Sequence, residues 1–235
     1  MAKIIIANWK SHPATLSEAL KLARASDIKT AVIAPPYPYL KKVGTLLKKA
    51  ALGSQDLEAS PSELKSLKVK YVIIGHSDRR RLGDTDAIIN KKARRALRAG
   101  LKVVLCVGEN KATRRKGLSA AKKFVANQLK KDLAGIRASR FMLRDSLTIA
   151  YEPIWAISTS KGSRADTPKN AAEMISFIRD FLHSKLEIRN SKLLYGGSVT
   201  PKNAKSFLSQ PGVDGALVGG ASLNPRSFHA IIKAR

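Results

Sequence analysis

The stretch LKVVLCVG (101 to 108) is apolar at nearly every position and lacks the apolar-polar alternation of a strand with one face in water. Such a run is typical of a parallel strand that is covered on both faces. Seven more short β-branched and apolar runs recur along the chain: KIIIA (3 to 7), TAVIA (30 to 34), ALGSQ (51 to 55), KYVIIG (70 to 75), LTIAYE (147 to 152), KLLYGG (192 to 197) and DGALVGG (214 to 220). We therefore predict eight strands.

Stretches with helical periodicity separate these runs, and each has one apolar face that can cover a sheet. Two such faces are formed by Ala121, Phe124, Val125, Gln128 and Leu129, and by Met174, Ile175, Ile178 and Leu182. The pairs Thr167-Pro168 and Thr200-Pro201 combine an N-cap residue with a proline at the first helical position. They predict helix starts after the sixth and seventh strands.

Strand and helix in alternation require right-handed crossovers, and eight such units in 235 residues close most naturally into a (β/α)8 TIM barrel. No linker rich in glycine and serine divides the chain, so we predict a single α/β domain over residues 1–235. An open doubly wound sheet would show much the same rhythm, and the strand pattern alone leaves that alternative open.

The composition and the lengths of the apolar runs indicate the cellular compartment of the protein. The only cysteine, Cys106, cannot form an internal disulfide or a cysteine-based metal cluster, and the four histidines lack metal-ligand spacing. The chain has no run of eighteen or more apolar residues, and its first residues lack the pattern of a signal peptide. We therefore expect a cytoplasmic protein without a membrane span.

The charge is unusual, because 44 basic residues against 17 acidic ones give a formal net charge of +27. Such a charge concentrates anionic ligands and adheres to nucleic acid without specificity. The basic residues are spread through predicted helices, as in KKARRALRAG (91 to 100), and no basic stripe is interleaved with stacking aromatic residues. We expect no specific nucleic-acid partner.

Polar residues that follow strands are the candidates for chemistry, because barrel enzymes place their active sites at the carboxyl ends of the strands. They are Asn8, Lys10, His76, Ser77, Glu152 and the glycine pairs Gly196-Gly197 and Gly219-Gly220. Alone, Glu152 is more often a salt-bridge partner and His76 a structural or capping group. Together with Lys10 they supply the base, proton relay and positive charge that proton abstraction next to a carbonyl requires.

The two glycine pairs favour an anion site, because backbone N–H groups can hold a phosphate and residues without a Cβ let the backbone approach it closely. Either pair alone is explained equally well by a tight turn. The loops after strands seven and eight of a barrel are, however, a frequent phosphate site. The two pairs together therefore predict phosphate binding.

Six motifs resemble the triosephosphate isomerase family: NWK (8 to 10), IIGHSDRR (73 to 80), CVGE (106 to 109), AYEPIWAI (150 to 157), LLYGGSV (193 to 199) and GALVGGASL (215 to 223). The resemblance covers the full length. It implies a glycolytic and gluconeogenic aldose-ketose isomerase that interconverts dihydroxyacetone phosphate and D-glyceraldehyde 3-phosphate through an enediolate. It also implies that no metal or organic cofactor takes part.

The resemblance implies roles for individual residues. Glu152 is then the catalytic base, and a neutral His76 polarises the carbonyl and shuttles protons. A histidine kept neutral by a helix N-terminus is a known feature of this family. Lys10 and Asn8 then stabilise the developing oxyanion. Two supporting residues follow the histidine, namely Ser77 and Asp78, the latter as the acidic partner of the lysine.

In the family the segment after the base is a lid that closes over the substrate, here residues 153 to about 163. Trp155 and Glu109 correspond to a pair that meets in one lid state, and Tyr195 and Ser198 to groups that hold the closed lid. The phosphate-binding residues that the resemblance implies are Ser158, Ser198, Gly219 and Gly220.

Two departures from the family pattern affect the site. Asp78 stands where glutamate is usual and is one methylene shorter, so we expect Lys10 to be held differently or through water. Ser158 and Ser160 stand where glycines are usual in the lid, so we expect slower or strained closure.

The third departure is the segment SQDLEASPSEL (54 to 64), which lacks the long third loop that reaches into a neighbouring subunit in family dimers. Such a chain requires another interface or a more rigid loop near Ser11 and His12. We expect a homo-oligomer formed through the remaining surface, with an active monomer as the alternative.

Two other functions compete with isomerisation. A barrel whose chemistry has decayed could use the +27 charge to bind RNA or polyphosphate. A different sugar-phosphate isomerase or an aldolase is a weaker alternative, since aldolase chemistry needs a Schiff-base lysine inside the barrel and the predicted strands contain no obvious one.

Salt separates the first of these alternatives from isomerisation. We expect any RNA binding to be non-specific and to weaken by roughly 10³-fold or more between about 50 and 200 mM salt, because it rests on counterion release. Fluorescence anisotropy with a labelled RNA measures this dependence. Submicromolar affinity at physiological salt in a chain without isomerase turnover would contradict the expectation.

Overall fold

The computed structural model describes residues 3–136, 146–157 and 166–234. Its strands are β1 (Ile4–Asn8), β2 (Ala31–Ala34), β3 (Ala51–Ser54), β4 (Tyr71–Ile74), β5 (Lys102–Val107), β6 (Leu147–Tyr151), β7 (Lys192–Tyr195) and β8 (Gly215–Val218). All are parallel, each pairs with its neighbour in chain order, and β8 pairs with β1. This closed ring confirms the predicted barrel and excludes the open sheet.

At least one helix lies between each pair of consecutive strands. The helices in the described ranges are α1 (Leu16–Ala25), α2 (Leu40–Leu46), α3 (Pro61–Ser66), α4 (Ser77–Arg81), α5 (Asp86–Arg98), α6 (Lys111–Arg115), α7 (Leu118–Asp132), α8 (Pro168–Leu186), α9 (Ala204–Leu208) and α10 (Pro225–Lys233). None of these helices is long and apolar enough to cross a membrane.

The strands have apolar residues on both faces because the barrel has two apolar layers. In β5, Val104 and Cys106 belong to the cluster inside the barrel, whereas Val103, Leu105 and Val107 pack with the surrounding helices. Consecutive apolar positions therefore point alternately into two buried regions. This confirms the interpretation of the run at 101 to 108.

The predicted helix faces are largely those that the protein buries. In α8, Met174, Ile175, Ile178 and Leu182 are all buried, and the Oγ1 atom of Thr167 caps the helix by accepting a hydrogen bond from the Asn170 N–H at 3.2 Å. In α7 the buried residues include Ala121, Val125, Gln128 and Leu129, but Phe124 is only half-buried.

The predicted helix start at Thr200-Pro201 is wrong. Residues 201–203 form a turn, and α9 begins at Ala204. The Thr200 side chain does not act as the cap; instead, the Asn203 Oδ1 atom accepts a hydrogen bond from the Thr200 N–H at 2.7 Å. The asparagine thus stabilises a turn in which the Thr-Pro pattern predicted a helix.

The seam that closes the barrel depends on a close approach at Gly215, which pairs with Ile4 across β8 and β1. A Cβ atom at Gly215 would lie 1.8 Å from the Ile4 carbonyl oxygen. A side chain at this position therefore requires the two strands to separate.

We expect Gly215→Ala to lower the free energy of unfolding by about 3 kcal/mol, the upper end of the usual cost of overpacking. Gly83→Ala is the control, because Gly83 has a φ of 107° but no atom within 4 Å of an added Cβ. That change should cost roughly 1 kcal/mol through backbone strain alone. Urea denaturation of both variants measures the difference, and equal losses would contradict the importance of the seam.

Candidate active site

One cavity at the carboxyl ends of the strands brings together most of the predicted site residues. Its lining includes Asn8, Lys10, His76, Glu152, Gly196, Gly197, Ser198, Gly219 and Gly220. They meet because the strands are parallel, so that all residues directly after a strand share one rim. In the described ranges, no three His, Cys, Asp or Glu side chains are grouped as metal ligands would be.

The carboxylate of Glu152 is buried and held by residues that follow β4. It accepts hydrogen bonds from the Ser77 N–H at 3.0 Å and from the Ser77 Oγ at 3.1 Å. Its Oε1 atom also lies 2.8 Å from His76 Nε2. The predicted base and the predicted histidine are therefore in direct contact.

The hydrogen bonds of His76 indicate which ring nitrogen carries the proton. The Nδ1 atom accepts a hydrogen bond from the Asp78 N–H at 3.1 Å, in the first turn of α4. A nitrogen that accepts from an N–H carries no proton, so the ring proton is on Nε2, the atom that lies beside Glu152. The imidazole in this arrangement is neutral.

Lys10 occupies a constrained position after β1. Its φ is 54°, in the left-handed region, and its N–H donates to Asn8 Oδ1 at 3.1 Å. The Nζ atom lies 3.1 Å from Asp78 Oδ2. The expectation that the shorter aspartate reaches the lysine only through water is therefore wrong, since α4 brings Asp78 close enough for direct contact. The expectation that Lys10 is held differently stays a prediction.

Two opposing effects set the pKa of Asp78. Partial burial acts to raise it, but the charge of Lys10 outweighs burial, and the pKa lies below its ordinary value. Because the pKa is lowered in the folded protein, the ionised pair is intact at neutral pH. It is lost as the pH falls through the lowered value.

A second buried carboxylate, Glu109, lies behind the cavity. It accepts a hydrogen bond from Trp155 Nε1 at 2.8 Å and from the Tyr151 hydroxyl at 3.1 Å, and Arg114 lies 3.7 Å away. The Arg114 guanidinium also lies over the Trp155 ring, 5.1 Å from its centroid. Trp155 and Glu109 therefore meet as predicted, and the lid state to which this contact belongs stays a prediction.

The predicted phosphate-binding residues are only partly available to a ligand. Both the N–H and the Oγ of Ser198 donate to the Ala156 carbonyl, at 3.2 and 2.8 Å. Gly219 and Gly220 begin a short 3-10 turn that faces the cavity. Ser158 and Ser160 lie outside the described residues.

Tyr195, predicted to hold the closed lid, is buried beneath the glycine pair. A Cβ atom at Gly197 would lie 2.2 Å from its hydroxyl, so the ring itself requires a glycine there. Burial, followed by the nearby charge of Asp166, raises the pKa of Tyr195 far above its ordinary value. The residue remains a neutral phenol at physiological pH.

The family model for triosephosphate isomerase matches residues 3–235 of the chain. The chain belongs to the triosephosphate isomerase family. Its similarity to individual members covers almost the whole length of this chain and of each relative. The protein is thus an isomerase enzyme.

Three relatives, each named triosephosphate isomerase, illustrate this similarity. The protein from Carboxydothermus hydrogenoformans is 40% identical over 254 residues, which cover 97% of this chain and 97% of the relative. The proteins from Dictyoglomus thermophilum and Aquifex aeolicus are 37% and 36% identical, with 99% of each chain covered.

The sequence pattern missed Gln55, a residue of the active-site region that ends the run ALGSQ. Its Nε2 atom donates to the carbonyl oxygens of Lys10 at 2.8 Å and Ala34 at 2.9 Å. The amide thereby ties the left-handed turn at Lys10 to the neighbouring strands. Gln55 directly follows β3, so the signal that singles out Asn8 and Ser77, a polar residue after a strand, applies to it as well.

We expect Asp78→Asn to lower kcat/KM by about tenfold, equivalent to ~1.4 kcal/mol, because Lys10 loses its anionic partner. Asp78→Glu restores the usual family residue, and we expect it to stay within about threefold of the parent. Steady-state kinetics with glyceraldehyde 3-phosphate measures both variants. Equal activity of all three proteins would contradict a role for the pair.

Proposed function

We propose that the chain interconverts dihydroxyacetone phosphate and D-glyceraldehyde 3-phosphate by proton transfer through an enediolate. The observation that carries the proposal is the 2.8 Å contact between Glu152 Oε1 and His76 Nε2, in a cavity that Lys10 also lines. A carboxylate base, a neutral N–H donor and a fixed cation are the groups that this reaction requires.

Glu152 is the base in this proposal. Its carboxylate removes a proton from the carbon next to the carbonyl and returns the proton to the neighbouring carbon. Ser77 keeps the carboxylate oriented towards the rim with two hydrogen bonds before the substrate arrives. The substrate must replace these contacts, so Glu152 swings from Ser77 towards the substrate carbon.

His76 is the electrophile in this proposal. The Nε2 proton, which points to Glu152 in the free enzyme, is donated to the carbonyl oxygen as negative charge develops there. The same ring then moves a proton between the two oxygens of the enediolate. The Asp78 N–H at Nδ1 supports this role, because it leaves Nε2 as the nitrogen that carries the ring proton.

Lys10 and Asn8 stabilise the oxyanion in this proposal. Asp78 Oδ2 lies 3.1 Å from the Lys10 ammonium group and holds it beside the cavity. Asn8 holds the backbone of Lys10 through its Oδ1 atom, which leaves its side-chain NH2 group as the donor towards the cavity.

The phosphate binds at the two glycine pairs and is coupled to the lid in this proposal. The Ser198 N–H is occupied by the Ala156 carbonyl, at the start of the lid segment. A phosphate that takes this N–H displaces Ala156, so binding and lid movement are linked. The backbone N–H groups of Ser158 and Gly220 complete the phosphate site.

A decayed barrel that only binds RNA is not favoured, because the Glu152–His76 and Lys10–Asp78 contacts are both intact. A homo-oligomeric state, a cytoplasmic location and the lack of a specific nucleic-acid partner stay predictions. Light scattering of the purified chain, alongside the activity assay, determines the first of them.

We expect Glu152→Gln to lower kcat by roughly 10²- to 10⁴-fold, the usual contribution of a general base. Glu173→Gln is the matched control, since Glu173 is an exposed carboxylate of α8 paired with Lys122 at 2.9 Å. A coupled assay of glyceraldehyde 3-phosphate conversion, with phosphoglycolate as inhibitor, measures both variants. Full turnover in a folded Glu152→Gln variant would overturn the proposal.

A further inference from the structure

The short connection between β3 and α3, residues 55–60, contains a carboxylate that the proposed mechanism does not use. Asp56 is buried, with 1% of its surface exposed. Its Oδ2 atom lies 2.8 Å from Arg79 Nε and 2.6 Å from Lys92 Nζ. The connection is thus anchored to α4 through Arg79 and to α5 through Lys92.

Asp84 completes a network of two carboxylates and two cations. It lies 2.6 Å from Lys92 Nζ and 3.6 Å from Arg79 Nε. The carboxylates and Lys92 are largely shielded from water, so each charge depends on its partners and the removal of one leaves the others uncompensated. A chain with a net charge of +27 has no surplus of carboxylates to replace Asp56.

The network is adjacent to the residues that carry the proposed chemistry. Arg79 follows Asp78 directly in α4, and this helix begins after His76. The Asp78 N–H holds His76 Nδ1, and the Asp78 carboxylate holds Lys10. A displacement of α4 by a fraction of an ångström therefore changes both contacts together.

The loss of Asp56 has a predictable direction. Arg79 would be left with Asp84, at 3.6 Å, and its sequence neighbour Asp78 carries another carboxylate. An Arg79 that turns to Asp78 competes with Lys10 for the same oxygens. The connection would also lose its anchor next to Gln55, which fixes the backbone of Lys10.

We propose that Asp56 is a positioning residue, which fixes α4 through Arg79 so that His76 and Asp78 are held in their working geometry. This inference rests on the proposed isomerase function and adds to it. In this proposal, the short connection of this chain orients residues at the opening of the active-site cavity.

The test is Asp56→Asn, which keeps the shape of the side chain and removes its charge. We expect kcat to fall by about tenfold, because His76 and Lys10 are displaced. We expect the inhibition constant of inorganic phosphate to stay within about twofold, because the phosphate site lies on the loops after β7 and β8. A parallel loss of turnover and phosphate affinity, or unchanged kcat, would overturn the proposal.

Two controls separate positioning from general effects. Glu58→Gln removes a charge from the same connection, but at an exposed side chain. Asp214→Asn breaks an ion pair with Arg179, 3.0 Å long, at the opposite end of the barrel. We expect both to keep kcat within about twofold, and Asp214→Asn to lower the melting temperature. If either control lowers kcat as much as Asp56→Asn does, the effect is not specific to Asp56.

A readout that does not need turnover keeps this proposal separate from the proposed function. The 15N shifts of the His76 ring report the Asp78 N–H contact at Nδ1, with His76→Gln used for assignment. We expect them to change in Asp56→Asn and to stay constant in Glu58→Gln. An inactive parent with this shift change overturns the isomerase function alone, whereas an active parent without it overturns the positioning role.

If Asp56→Asn does not fold, Arg79→Lys tests the same link, because it keeps the positive charge and shortens the contact to Asp56. We expect about a threefold fall in kcat with unchanged inhibition by phosphate. Parent-like kcat in that variant would contradict the proposal.

Discussion

The hydrogen-bonded ring of eight parallel strands is the constraint on which the other features of this protein depend. Closure requires backbone contact at Gly215, where an added Cβ would collide with the Ile4 carbonyl. Because every strand runs in the same direction, closure also brings all carboxyl ends to one rim. Residues separated by more than a hundred positions, such as Lys10 and Glu152, thereby line one cavity.

Carboxylates with cationic partners, two of them buried, then organise that rim. Asp78 contacts Lys10, Glu109 lies near Arg114, and Asp56 bridges two cations. In a chain with 44 basic and 17 acidic residues, such carboxylates neutralise cations that would otherwise repel one another. The excess of basic residues thus makes each of these acids more important for local geometry.

The neutral imidazole of His76 links the electrostatics to the proposed chemistry. The first turn of α4 supplies the N–H at Nδ1, and Glu152 Oε1 lies 2.8 Å from Nε2. The same helix presents Asp78 to Lys10, so one five-residue element positions donor, base and cation at once. Its attachment to the rest of the protein is therefore as important as the residues it carries, and Asp56 supplies part of that attachment.

The sequence by itself determined the positions of the strands, their two-sided burial, most of the helix faces and the group of polar residues at the strand ends. These features depend on local periodicity and on chain direction, both of which can be recognised from consecutive residues. Only the tertiary structure decided that Asp78 reaches Lys10, that Gln55 holds the Lys10 backbone and that Asp56 joins α4 to α5. It also showed that Thr200, predicted to begin a helix, instead precedes a turn that Asn203 stabilises. Those outcomes depend on distances across the closed rim and on competing side-chain hydrogen bonds, which no local pattern encodes.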